Sequence, residues 1–288
     1  MIVEDYMKDE NWDLIIKPRN SWFDFRINEI WKYRDLLFLF VKRDFIAIYK
    51  QTILGPLWFF IQPILSTIIF TIIFGGFAKL STDGVPGPLF YLGGLTLWNY
   101  FADNLTKTSE TFVQNQNIFG KVYFPRLIVP ISVIISNLLK LGIQFLLFVG
   151  VWIYFLVNDT PNLSPNWAIA LFPILILIMS GLSLGFGIIF SSLTTKYRDM
   201  KFLLLFGVQL MMYVSSVVVP LSMVSEKYQW IMKLNPVVNV IEAFKYGFLG
   251  TGNFHWIDII YSVLFTIVLL IIGIIVFNKV EKSFMDTV

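Results

Sequence analysis

Apolar residues along this chain come in long blocks rather than in the three-and-four spacing of a soluble amphipathic helix. The blocks run from Leu54 to Ala78, Leu89 to Phe112, Leu127 to Val157, Trp167 to Leu193, Phe202 to Val224 and Ile257 to Phe277. Crossing a hydrocarbon core of ~30 Å takes about 20 helical residues, so each block predicts one transmembrane helix. The fold class that follows is an all-α integral membrane protein with six spans. Asn99, Asp103, Asn104, Lys107 and Glu110 interrupt the second block, whose inner half therefore needs protein neighbours or a water-filled cavity. Two shorter stretches are amphipathic. Between Asn28 and Gln51, Lys32, Asp35, Lys42, Arg43 and Lys50 fall near one side of a helix, with Ile30, Trp31, Leu37, Phe38, Phe45 and Ile48 on the other. That pattern suits a helix lying in the membrane interface, or one packed on a partner. In the last outer loop Asn235 offers an N-cap and Pro236 a first-turn residue, and Val237, Ile241, Phe244 and Phe248 recur at helical spacing before Gly250. Tyr228 to Leu234 can form a second short helix just ahead of it.

Composition agrees with a lipid solvent: 57% of residues are apolar and 14% charged, where soluble domains run roughly 45–50% and about 25%. The net charge of +3 matters less than its placement. Arg26, Lys32, Arg34, Lys42, Arg43 and Lys50 precede the first span, Lys121 and Arg126 separate the second and third, Lys196, Arg198 and Lys201 join the fourth and fifth, and Lys279 and Lys282 follow the sixth. Short cytoplasmic loops accumulate such residues, so both termini are predicted cytoplasmic. The first twenty residues are acidic and polar, without an apolar core of a signal peptide, and the first span is expected to direct insertion. Residues 1–53 read as a cytoplasmic tail with the interface helix, and 54–288 as the six-helix domain.

Candidate chemistry is sparse. Cysteine is absent and there is one histidine, which leaves no thiolate or imidazole cluster for a metal. No catalytic residue and no metal site are expected, and no basic surface for nucleic acid. A membrane glycosyltransferase would need clustered acids, which occur only as Glu4, Asp5, Asp9, Glu10 and Asp13, in what looks like a flexible tail. The sequence contains no G-x-x-x-x-G-K-[ST] phosphate loop, so ATP-driven work would have to come from another polypeptide. An ATP-independent carrier built from repeats would show paired, interrupted spans in corresponding halves, and none is seen. At Lys50-Gln51-Thr52-Ile53-Leu54-Gly55-Pro56 the chain must turn from lying flat to standing upright. Free N–H groups at the helix start beside Lys50 suit a phosphate, though Gly55 and Pro56 suffice simply to make the turn. Asp103 and Lys140 each lie ~20 Å deep at 1.5 Å per residue, from opposite ends of neighbouring spans. They are expected to meet near mid-membrane, either as a pair that fixes packing or as a contact for substrate.

Trp31-Lys32-Tyr33-Arg34-Asp35-Leu36 and Tyr49-Lys50-Gln51-Thr52-Ile53-Leu54-Gly55-Pro56-Leu57-Trp58 together resemble the opening of permease subunits of ATP-binding-cassette polysaccharide exporters. Lys196-Tyr197-Arg198-Asp199 and Leu234-Asn235-Pro236-Val237-Val238-Asn239-Val240-Ile241-Glu242-Ala243-Phe244-Lys245 match as well, so the resemblance spans nearly the whole chain. It implies a homodimer in the bacterial inner membrane, bound to two copies of a separate nucleotide-binding ATPase that holds ATP and Mg. The cargo implied is a lipid-linked polysaccharide, O antigen ahead of teichoic acid. It places a lipid head group near Lys50, Leu54 and Gly55, and makes about 115–126 the coupling helix. Phe119, Tyr123 and Phe124 would be knobs in a groove of the ATPase with Arg126 as rim charge; an interfacial loop anchored by aromatics is the alternative. It folds about 225–250 into outer gate helices that include Asn235, Pro236 and Glu242. Glu242 and Lys245, spaced i, i+3, would pair at the surface or touch the sugar. A glycan presents hydroxyls and apolar C–H faces, so a conduit for it should carry aromatic planes and scattered polar groups. Phe59, Gln62, Ser66 and Phe70 on the first span, and Gln209, Tyr213 and Ser216 on the fifth, form such lines.

Overall fold

The computed structural model describes residues 27–50, 54–158 and 162–287, and every regular element among them is helical. The acidic tail expected within residues 1–26 and the Gln51 to Ile53 part of the corner lie outside the described residues. The interface segment forms α1 (Ile27–Lys32) and α2 (Arg34–Tyr49). The first span is α3 (Trp58–Phe70) continued by a π-helical stretch, Thr71–Phe77. The second is α4 (Gly87–Thr108), followed by the short α5 (Thr111–Phe119). The third and fourth are α6 (Ile128–Val157) and α7 (Phe172–Lys196), the latter entered through a 3-10 turn at Trp167–Leu171. Then come α8 (Met200–Val214), the short helices α9 (Glu226–Lys233) and α10 (Pro236–Leu249), and the last span α11 (Trp256–Thr287).

Among the described residues, four helical stretches are long and apolar enough to cross a bilayer: Trp58–Phe77, Ile128–Val157, Trp167–Lys196 and Trp256–Glu281. α4 has 22 residues, enough length, but its polar side chains lower its hydropathy. Protein neighbours enclose those side chains and satisfy them in part. Asn104 and Thr108 are fully buried against α6 and α7, and the Asn104 side-chain carbonyl accepts from Asn137, while the Asn104 amide nitrogen and the Thr108 hydroxyl have no partner among the described residues. The fifth block departs from expectation. Its helix ends at Val214 rather than Val224, after 15 mostly apolar residues. Ser216 has φ 59, a left-handed conformation that ends a helix, and Val217 to Val219 lead into Pro220, which opens only a short 3-10 turn at Leu221–Met223.

α7 is the hub, packed against α11 on one side and α4 on another, with α6 beyond α4. Lipid gives no hydrophobic drive for helix association, so close backbone approach has to supply it. Small residues do so here: a Cβ added at Gly185 would lie 2.8 Å from Leu269, and one at Gly273 would lie 2.8 Å from Ile188. α10 is wedged among α4, α7 and α11 and is buried almost throughout. Asn235 caps it by accepting from the Val237 N–H at 3.1 Å, and Gly250 closes it with φ 75. An added Cβ at Gly250 would lie 2.0 Å from the Ser164 hydroxyl. Gly250→Ala should therefore lower stability by roughly 1–3 kcal/mol, read as an earlier unfolding midpoint of the detergent-purified chain; an unchanged midpoint would refute this account of the cap.

Candidate functional site

The region where α10 meets the end of α8, expected to be the outer gate, is built around two buried charges. Glu242 and Lys245 are 3% and 1% exposed, so the surface pairing allowed by their spacing does not occur. Instead both converge on Ser216, whose hydroxyl donates to the Glu242 carboxylate and whose carbonyl accepts from the Lys245 ammonium. The second carboxylate oxygen accepts the Asn253 N–H at 2.8 Å. The ammonium also sits 3.5 Å above the Phe90 ring of α4, a cation–π contact strengthened by the dry surroundings. Burial pushes the Lys245 ammonium down to about 8, with Glu242 and then Asp83 pulling the other way. Ser216 is thus a junction between the end of α8 and α10, and not part of an open conduit face as its spacing from Tyr213 suggested. Its left-handed backbone turns it away from the helical line. Nothing in the spacing marks Ser216 or Asn253 as partners of these charges.

Along α4 and α6 runs a polar ladder. Lys140 meets Asp103 at 2.5 Å, which is the encounter that depth arithmetic predicts. Asn137 donates to Asn104 at 2.7 Å and accepts from Lys107 at 2.9 Å, extending the ladder toward the α4–α5 corner. Asn137 escaped the sequence reading although it sits three residues before Lys140 on the same helix. The Lys140 ammonium also lies 5.9 Å from the Phe59 ring centre, so Phe59, 7% exposed, is packed inside the subunit and is withdrawn from the expected conduit line.

The remaining conduit candidates hold surface positions. Gln62 and Gln209 are exposed, Ser66 is half-buried, and Tyr213 is 43% exposed. Phe70 is half-buried and stacks edge-on to Phe74 and Tyr91. Phe74 in turn meets Tyr213 at 6.5 Å, which brings α3 and α8 together through an aromatic that the sequence reading passed over one turn beyond Phe70. Both helices expose broad apolar surface, including Leu65, Ile69 and Ile72 on one and Phe202, Phe206 and Leu210 on the other.

At the opposite end, the stretch expected to be a coupling helix over 115–126 is α5 and a loop, because Gly120 ends the helix well before 126. Phe119 and Phe124 are each 4% exposed, so they are core side chains here rather than knobs. They join Phe40 of α2, Phe112 of α5 and Phe277 of α11 in one apolar cluster. Arg126 is likewise turned inward: it donates to the Glu281 carbonyl at 2.7 Å and lies over the Phe119 ring. Lys121, Val122 and Tyr123 are the exposed side chains of this loop. At the corner, Lys50 and Leu54 are exposed and Gly55 is buried with φ 48, a conformation that calls for glycine.

Residues 35–249 match the protein family described as ABC-2 type transporter. The chain is 32% identical to an O-antigen export system permease protein RfbA of Klebsiella pneumoniae over 256 residues, covering 88% of this chain and 94% of that protein. It is 25% identical to RfbA of Myxococcus xanthus over 76% of this chain and 82% of that protein. It is also 25% identical to the polysialic acid transport protein KpsM of Escherichia coli, over 81% and 89% of the respective chains.

Proposed function

The chain belongs to the ABC-2 type transporter family as a non-catalytic membrane permease, and from that premise we propose that it exports a lipid-linked polysaccharide, O antigen first. The similarity to an O-antigen export permease over 88% of this chain carries this reading. In it, two copies of the chain sit in the bacterial inner membrane with both termini cytoplasmic, bound to two copies of a separate ATPase that holds ATP and Mg. The exposed faces of α3 and α8, with Gln62, Ser66, Phe70, Gln209 and Tyr213, would meet across the dimer and line the conduit. Aromatic planes there give weak, repeated contacts that let a polymer move without being held. The Lys50, Leu54 and Gly55 corner would receive the head group, and α9 with α10 would gate the outer end through Asn235, Pro236 and Glu242. The residues 115–126 remain the coupling segment, but with Tyr123 and Val122 as the side chains offered to the ATPase. The phenylalanine cluster behind them would carry its movement to α2 and α11, a rigid-body switch driven by differential binding. KpsM similarity makes polysialic acid the second reading, with teichoic acid the third.

Tyr123→Ala should weaken co-purification with the ATPase of the same gene cluster by about 30-fold, the effect of removing an aromatic anchor worth about 2 kcal/mol. Vesicles containing both proteins should translocate a fluorescent lipid-linked O-antigen oligosaccharide only with ATP. Transport by the purified chain alone, or none with the ATPase and ATP present, would overturn the proposal. Selective transport of polysialic acid would move it to the second reading.

A further inference from the structure

Away from the conduit faces, a cavity of about 450 Å³ opens between α2, the α4–α5 corner and the start of α6. Its polar lining includes Arg43, Asp44, Lys107, Asn115, Ser136 and Asn137. Lys107 stands in the last turn of α4, at the depth where a span meets lipid head groups. Its ammonium donates to Asn137 at 2.9 Å, and among the described residues no carboxylate lies within ion-pair distance of it. An ammonium has three donors, so two remain for something in the cavity. Arg43 is paired with Asp44 at 2.8 Å but is 42% exposed along its side chain, leaving guanidinium donors open to the same space. The lining is thus one charge positive. On its outer side α2 exposes Phe38, Leu39 and Ile46, an apolar surface that sets the cavity beside acyl chains rather than open water.

A lone cation at the edge of the membrane, a polar void large enough for a phosphoglycerol group and a lipid-facing helix on its rim call for the same occupant. We propose that this cavity binds the phosphate of an anionic membrane lipid, held by Lys107 and Arg43 and bordered by the amides of Asn115 and Asn137. The bound lipid would tie α2 to the α4–α5 corner, so the coupling segment would be braced by the bilayer as well as by protein. The phosphate could belong to a bulk phospholipid or to the polyprenyl carrier of a glycan. The inference needs only a membrane location and does not depend on the cargo proposed above.

The test is native mass spectrometry of the delipidated full chain, titrated separately with phosphatidylglycerol, phosphatidylcholine and a polyprenyl phosphate. Lys107→Gln should reduce phosphatidylglycerol retention about tenfold, Arg43→Gln less, and Lys107→Arg should keep most of it. Phosphatidylcholine, with no net charge, should bind weakly to all four proteins. If polyprenyl phosphate instead shows the Lys107-dependent binding, the phosphate site stands and its source is the carrier. Equal retention of both anionic lipids by wild type and Lys107→Gln, with the unfolding midpoint of the variant unchanged, overturns the proposal.

Discussion

Glu242→Ala is expected to cost the permease about 3–5 kcal/mol at neutral pH, because it leaves the Lys245 ammonium buried without its counter-charge. For a chain of this size that corresponds to an unfolding midpoint lower by roughly 10 °C. The loss should depend on pH. Lys245 binds its proton less tightly in the folded chain, near 8, than in the unfolded chain, where the usual value is 10.5. Removing Glu242 lowers the folded value further, so the unfolded chain binds more protons over a wider range and stability rises with pH there. The deficit of Glu242→Ala against wild type should accordingly narrow as pH rises toward about 8, where the wild-type Lys245 also loses its proton, and stay constant above it. Adding Lys245→Met should recover part of the loss and remove the pH dependence, since Met can still cover the Phe90 ring while carrying no charge. A pH-independent deficit in the single variant would refute the role given to this pair.

Lys140→Met is the second large effect. It strips the 2.5 Å partner from Asp103, whose side chain is 33% exposed at mid-membrane depth. With that exposure the expected loss is smaller, about 1–3 kcal/mol, visible as poorer assembly in detergent. Asp103→Asn in the same chain removes the stranded charge and should restore assembly. Transport then separates two roles for the pair. If it only fixes packing between α4 and α6, the double variant exports at the wild-type rate. If it touches the glycan, the double variant assembles normally but exports several-fold more slowly. A Lys140→Met chain that assembles and exports like wild type removes both roles.

The sequence already held much of this protein, and the parts it held share a cause. Hydrocarbon thickness makes span length a property of composition, so the blocks beginning at Leu54, Leu127, Trp167 and Ile257 reappear as long apolar helices. Helix caps are local, so Asn235, Pro236 and Gly250 delimit α10 as their residue types require. Asp103 and Lys140 could be matched because rise per residue converts sequence position into depth. What the tertiary structure alone decided is where each side chain faces. Phe119 and Phe124 look like exposed anchors in a short basic loop, yet they fill a cluster formed by α2, α5 and α11, elements far apart in the chain. Ser216 looks like the next polar step after Tyr213, yet a left-handed backbone withdraws it to bind Glu242 and Lys245. Depth along the bilayer normal is one-dimensional and follows from counting residues; burial depends on long-range neighbours, which no local pattern of apolar and polar positions specifies.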